Sequence, residues 1–411
     1  MKILHTADWH LGQTFYDNDR TPEHLAFLNW LFKTIKEEEI DAVLVSGDVY
    51  DNANPSHKAI AILYEFIQKM QAELPNVQVI FTGGNHDSAL RLEQPLPLLQ
   101  HSNIRIIGSS KMDADKRIRF EDVVVRLNNP DGKDVLCLAV PFLRLGDYPL
   151  SEKGTFEYVE GVRNYYQQAF DYAKTLATNN EPIIAMGHLH ARGVKLEDRE
   201  SAERDIIGGV EMISGSDFPE DLAYVALGHI HKAQKVGGQE HIRYCGSPIP
   251  LSFAEKNYKH QVLILTFKDG LENIESKEIP VLIPLLSVPS QPKPFAEVLT
   301  ALDVLELEVK DVETPPYVEV LVDVTQMEAN YAEMIKQRFD SIRAKLVKIT
   351  SAKQVILEEN QSEFLSFEYL DQVKPIEFLD RILHSKLAEV KPSLQEKLHG
   401  VIKQIEQKKA K

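Results

Sequence analysis

The first ninety residues alternate short apolar runs with stretches in which apolar residues recur every three or four positions, and each run closes in a small polar or glycine-containing loop. That alternation predicts a β/α architecture. Lys2 to Thr6 reads as a strand, with Ala42-Val43-Leu44-Val45 and Val77-Gln78-Val79-Ile80-Phe81 as the next two. Between the first two, Thr21-Pro22-Glu23 starts a helix with a capping residue followed by proline, and Leu25, Leu28, Leu31, Phe32 and Ile35 mark its apolar face. A second helix is expected from Pro55 to about Glu73, with Ile60, Leu63, Ile67 and Met70 on one side. Further strands are expected at 104–107, 117–120, 123–127, 135–140, 183–186, 223–227, 242–245 and 261–267, with a helix near 158–176. So many strands with so few helices between them imply more than one sheet.

The stretch holding Pro280, Pro284, Pro289, Pro292 and Pro294 is the sharpest change in composition, and it sets the expected extent of a first domain at 1–279. Beyond it, Tyr317 to Val324 alternates like a strand, 329–341 has a helical period and Leu346 to Ile349 reads as another strand, a small α+β module placed at 285–360. Residues 375–411 carry Ile376, Phe378, Leu379, Ile382, Leu383 and Leu387 at helical spacing, so the tail reads as an amphipathic helical segment. A chain of 411 residues fits such a division at roughly 100–200 residues per domain.

Composition narrows the function classes. With 43% hydrophobic and 26% charged residues the chain is of ordinary globular type, not disordered. Lys+Arg number 46 against 62 Asp+Glu, a net charge of −16. That balance disfavours nonspecific attraction to phosphate backbones, so a nucleic-acid role must rest on local patches, bound cations or a partner. The start, MKILHTADWH, lacks the basic stretch and apolar core of a signal peptide, and no run of about 18 apolar residues occurs, so a soluble, cytoplasmic protein with no membrane association is expected. Cys137, inside the apolar run Val135 to Val140, and Cys245 show no zinc or disulfide spacing. No G-x-x-x-x-G-K-[ST] loop is present, since Gly132-Lys133 is followed by Asp134, so ATP hydrolysis by that route is excluded.

The chemistry gathers in five loops, each directly after a predicted strand: Asp8-Trp9-His10, Gly47-Asp48-Val49-Tyr50-Asp51, Gly84-Asn85-His86-Asp87, Gly187-His188-Leu189-His190 and Gly228-His229-Ile230-His231. Ligands bind at the carboxyl ends of strands in α/β sheets. Any one of these loops alone would serve as a turn or helix cap. Five together, all rich in Asp, Asn or His, point to a two-metal site, which could clamp a phosphate and acidify water for an in-line displacement. Mixed oxygen and imidazole donors suit manganese first, with iron or magnesium possible.

The order D-x-H, G-D-x-x-D, G-N-H-D, G-H, G-H-x-H resembles the calcineurin-like metallophosphoesterase superfamily from Met1 to about residue 270. More narrowly, the opening Lys2 to Gly12, the segment Tyr224 to His231 and the segment Arg243 to Phe253 resemble the SbcD-type DNA-repair nucleases. The resemblance implies a two-sheet metallophosphoesterase sandwich flanked by helices, a small α+β capping domain at 285–360 and a helical C-terminal tail. It implies that Asp8, His10, Asp48 and His231 hold one Mn²⁺ and that Asp48, Asn85, His188 and His229 hold the other, with Asp48 as the bridge. His86 falls at the family's proton donor or transition-state stabiliser, and Asp87 would orient its ring. Archaeal relatives have a histidine where Asp51 stands, so that role does not transfer and Asp51 reads as a carboxylate supporting a ligand. His190 reads as a substrate contact or a solvated side chain, and His5 as a core or supporting histidine.

The implied activity is cleavage of double-stranded DNA ends and hairpins, with ATP hydrolysed by an SbcC-like ATPase subunit whose coiled coil docks on 375–411. The early helices at 22–37 and 55–73 would dimerise, giving a homodimer within a heterotetramer. The alternative is a metallophosphoesterase acting on small phosphodiesters or phosphomonoesters. A scaffold that binds DNA ends without cutting would require a missing ligand, and none is missing.

Overall fold

The structure is a computed structural model that describes residues 1–352 apart from 131, 150–156, 193–211 and 324–329. The expected tail helices at 375–411, and residues 353–360 of the expected module, lie outside the described residues. Two six-stranded sheets dominate. The first contains β1 (Lys2–Thr6), β4 (Ala42–Ser46), β5 (Gln78–Thr82), β6 (Ile104–Ile107), β13 (Gln261–Phe267) and β14 (Leu271–Glu278), in the order β14-β13-β1-β4-β5-β6. The second contains β7 (Val124–Leu127), β8 (Val135–Ala139), β9 (Ile183–His188), β10 (Tyr224–Gly228), β11 (Gln234–Lys235) and β12 (Ile242–Tyr244), in the order β11-β12-β10-β9-β8-β7.

Strands β1, β4, β5 and β6 run parallel, as do β8, β9, β10 and β12. Alternation along each strand sorts its side chains. Ile3, Ala42, Leu44 and Ile80 turn inward to join Leu138, Ile184 and Val225 of the second sheet in one core. Leu4, Val43, Val45, Val79 and Phe81 turn outward beneath α1 (Thr21–Glu37) and α2 (His57–Glu73). A single helical turn, α3 (Ala89–Leu92), follows the loop after β5 and buries Leu92 in the same outer cluster. Helix α4 (Tyr158–Leu176) covers the second sheet, burying Val162, Tyr165, Tyr166, Ala169 and Ala173. Helices therefore flank a pair of facing sheets, the expected sandwich. Among the described residues no helix is long and apolar enough to cross a membrane.

Three local expectations need correction. The strand expected at 117–120 is an isolated bridge between Met112 and Ile118, followed by a 3-10 turn at Phe120–Asp122. Helix α2 begins two residues after Pro55, because the Ser56 hydroxyl accepts the Ala59 amide and makes Ser56 the cap. The proline-rich stretch is not a bare linker, since it carries β15 (Leu285–Lys293). Proline is tolerated there because β15 is an edge strand whose pairing slips between Val288 and Lys293.

With β16 (Tyr317–Asp323) and β17 (Lys345–Ala352), β15 forms a three-stranded parallel sheet. Helix α5 (Phe295–Glu308), which the apolar pattern did not reveal, and α6 (Tyr331–Arg338) bury Val298, Leu302, Leu305 and Ile335 against Val318, Val320 and Val322. This small sheet meets the rest of the molecule through Leu285 and Tyr317, which cluster with Phe253 and with Phe15 on the hairpin of β2 (Thr14–Phe15) and β3 (Asn18–Asp19).

Candidate metal centre

The carboxyl ends of β1, β4 and β5 meet those of β9 and β10. Ser46, last residue of β4, donates its hydroxyl to the Ala226 carbonyl at 3.0 Å, and its own carbonyl lies 3.0 Å from His188 Nδ1. The approach requires glycine at two places. A Cβ on Gly228 would sit 1.9 Å from the Ser46 carbonyl oxygen, and one on Gly84 would sit 2.1 Å from Asp48 Oδ1. Where the chain leaves the strands, Asp8, His10, Asp48 and His229 all take positive φ (55°, 46°, 46° and 100°). Such backbone costs of order 1–3 kcal/mol per residue, and surrounding contacts must hold it. They do: the His229 amide donates to Asp8 Oδ1 at 2.8 Å, the His10 amide to the Asp48 carbonyl at 3.0 Å and the His86 amide to Asp48 Oδ1 at 2.9 Å.

Three overlapping groups bring potential ligand atoms within 4.8 Å of one another: Asp8, His10 and His231; His10, Asp48 and His86; and Asp48, His188 and His229. All of these residues are buried. Asn85 completes the last group, with Oδ1 at 2.9 Å from His188 Nε2 and 3.1 Å from His229 Nδ1, while His188 Nε2 is 3.2 Å from Asp48 Oδ2. Spacings near 3 Å suit donors that each sit about 2.0–2.2 Å from a shared ion. In the other group, Asp8 Oδ2 and His10 Nε2 are buried with no hydrogen-bond partner. Orphaned buried acceptors of this kind are costly, and a cation between them would satisfy both. The residues therefore fit a pair of metal ions.

The two central carboxylates are driven in opposite directions. Burial raises the pKa of Asp8, with His188 and His231 opposing. Burial also works to raise that of Asp48, but His188 and His10 outweigh it and the net direction is down. His188 shows the reciprocal effect: burial disfavours its charge, yet Asp48 and Asp8 hold it up at about 9. His229 is pushed well below the ordinary histidine value by burial and by His188.

His86 and Asp87 adjoin in the loop after β5, and each is anchored to the loop after β4. The Asp87 carboxylate accepts the amides of Val49, Tyr50 and Gly84 at 3.0, 2.9 and 2.9 Å, so it ties together the loops after β4 and β5. Burial and Asp48 raise its pKa to about 6. The His86 ring places Nδ1 2.6 Å from the Asp51 carbonyl, and the Asp51 carboxylate lies 3.4 Å from His10 Nδ1. Asp51 thus touches both histidines, one through its backbone and one through its side chain. His190 is half-buried with its ring 5.9 Å from that of His229. His5 is fully buried, Nδ1 paired with the Tyr224 hydroxyl at 3.0 Å. Arg144 donates to the carbonyls of Asp87 and Gly84 at 3.0 and 3.4 Å from the loop after β8. Neither Arg144 nor Glu255, which lies 3.1 Å from His231 Nδ1, was indicated by any motif.

Comparison with known proteins shows the family. The family model for calcineurin-like phosphoesterases matches residues 1–233. The SbcD component of the SbcCD nuclease of Escherichia coli (strain K12) is 38% identical over 69% of this chain and 70% of that protein. The chain belongs to the SbcD family of calcineurin-like phosphoesterases. A second SbcD, from Rhodobacter capsulatus, is 38% identical over 75% of this chain and 76% of its own length. Among solved structures, a dimetal phosphatase from Danio rerio aligns with 68% of this chain and 99% of its own at 12% identity, with a TM-score of 0.38. Membership of the SbcD family makes the protein a metal-dependent nuclease, a hydrolase of phosphodiester bonds.

Proposed function

We propose that the protein cuts double-stranded DNA at ends and hairpins with two Mn²⁺ ions, as the nuclease subunit beside an SbcC-like ATPase. The observation that carries the reading is the convergence of Asp8, His10, Asp48, Asn85, His188, His229 and His231, from five loops of two sheets, into overlapping ligand groups. Asp8, His10, Asp48 and His231 hold one ion, and Asp48, Asn85, His188 and His229 the other. Ions so held neutralise a phosphodiester and make water a stronger acid. His86 is the proton donor to the leaving oxygen: the Asp51 carbonyl accepts from Nδ1–H and orients the ring, and the proton given up from Nε2 is that of the charged imidazolium. Asp87 supports that role indirectly, by bracing the loop on which His86 sits.

The small sheet at 285–352, with the residues up to 360, acts as a cap that shapes access for DNA, and 375–411 docks the ATPase. The partner is supported by the names of the relatives, which are components of a two-part nuclease. Pairing of two copies through α1 and α2 belongs to the same reading. The test is to assay the wild type and His86→Ala on a hairpin-ended duplex and on a small chromogenic phosphodiester, with Mn²⁺, Mg²⁺ or chelator and with the ATPase supplied. Mn²⁺-dependent DNA cutting that His86→Ala loses while still binding metal supports the reading. Turnover of the small diester with no cutting of any DNA would replace it with a small-molecule phosphodiesterase.

A further inference from the structure

Glu255 ends a one-turn 3-10 helix, Phe253–Glu255, and its side chain is fully buried. A buried carboxylate carries a desolvation penalty of several kcal/mol unless its charge is answered. Here the answering groups are specific. Oε1 lies 3.1 Å from His231 Nδ1 and accepts from the Ser252 hydroxyl at 3.2 Å. Oε2 accepts the Leu251 amide at 2.9 Å and lies 3.4 Å from the Ser247 hydroxyl. The salt bridge it forms is to a histidine, not to lysine or arginine. Part of its hydrogen bonding thus fixes the carboxylate to its own turn, and the rest is aimed at one ring nitrogen.

That ring belongs to the group in which Asp8, His10 and His231 approach within 4.8 Å. An imidazole whose Nδ1–H is donated to a carboxylate has its lone pair on Nε2, is fixed in orientation, and is a more basic ligand than a free one. For comparison, His188 has its Nδ1 3.0 Å from the Ser46 carbonyl, a weaker acceptor than a carboxylate, and 3.9 Å from Asp8 Oδ1, beyond hydrogen-bond distance.

We infer that Glu255 is a positioning residue for the metal centre: its carboxylate holds His231 as the Nδ1–H tautomer, aiming Nε2 at the ion shared with Asp8 and His10. The inference rests on the two-metal reading above. It also distinguishes the two positions, because an intact Glu255 strengthens one of them and not the other.

The test is a Mn²⁺ titration of the full-length wild type, Glu255→Gln, His231→Asn and the double variant, followed by electron paramagnetic resonance of the free ion, with far-ultraviolet circular dichroism of each protein in chelator. Glu255→Gln should retain one position at wild-type affinity and weaken the other by about 10–100-fold. Adding Glu255→Gln to His231→Asn should cost nothing further, because the carboxylate acts through that ring. Equal affinities in wild type and Glu255→Gln, or additive losses in the double variant, would overturn the inference while leaving the two-metal reading intact. A wild type that takes up no Mn²⁺ would remove both. Should Glu255→Gln not fold, nitrogen-15 histidine side-chain spectra of the metal-free wild type decide the matter, with Nδ1–H required at His231 and Nε2–H refuting the assignment.

Discussion

The two halves of the metal centre differ in what they bring. The first sheet supplies both central carboxylates, Asp8 and Asp48, each at the end of a strand in left-handed backbone, whereas the second supplies only imidazoles, His188, His229 and His231. Neither half is stable in its charge alone. Asp8 and Asp48 are buried anions in the making, and His188 draws its raised pKa from them. Metal affinity is consequently a property of the packing between the sheets, so whatever separates them removes the site, and a bound cation should hold them together.

Breaking the half that carries the charge should have the largest effect. Asp48→Asn removes the carboxylate present in two of the three ligand groups, and nuclease turnover should fall by more than about 10⁴-fold, beyond the range of a lost acid–base group, with Mn²⁺ binding lost in calorimetry. His86→Ala should lower turnover by about 10²–10⁴-fold while both ions still bind, and a variant that loses metal as well would make His86 a ligand. Gly228→Ala tests the contact between the halves. Its Cβ meets a backbone oxygen, so the sheets must part, at a cost of about 1–3 kcal/mol, and calorimetry should show both a lower Tm and weaker Mn²⁺ uptake.

The smallest effect concerns the first sheet's interior. Burial lowers the His5 pKa from 6.5 to about 3, so as pH falls the unfolded chain takes up this proton before the folded one. The stability contributed by neutral His5 is full above about pH 6.5 and declines by about 1.4 kcal/mol per pH unit between 6.5 and 3. Melting curves at pH 7 and pH 5 should therefore show a smaller drop for His5→Leu than for the wild type.

The same division explains what was legible in the sequence. Each ligand loop is a local signal, a short apolar run followed closely by donors, with a glycine opening four of the five, and the strands before them are equally local. Which sheet each loop belongs to is not local. It depends on pairing, such as β1 lying between β4 and β13, strands more than two hundred residues apart. Helix α5 escaped notice because its leucines and valines leave no clean polar face: Leu307 and Val304 are exposed while Leu302 and Leu305 are buried. The β15 prolines concealed a strand that only edge placement permits. Glu255 had no motif, since its partner is 24 residues away and only folding brings them together.

The left-handed backbone at Asp8, His10, Asp48 and His229 also bears on how the protein can be improved or diversified. By conformation alone, glycine would relax each of these four positions, and a search for thermal tolerance that scored only melting temperature would favour it. Every such gain would delete a side chain from the centre. Heat resistance and catalysis therefore pull against each other at these four positions, and stabilising substitutions for this fold are better sought in the helices and the small sheet, away from the strand ends.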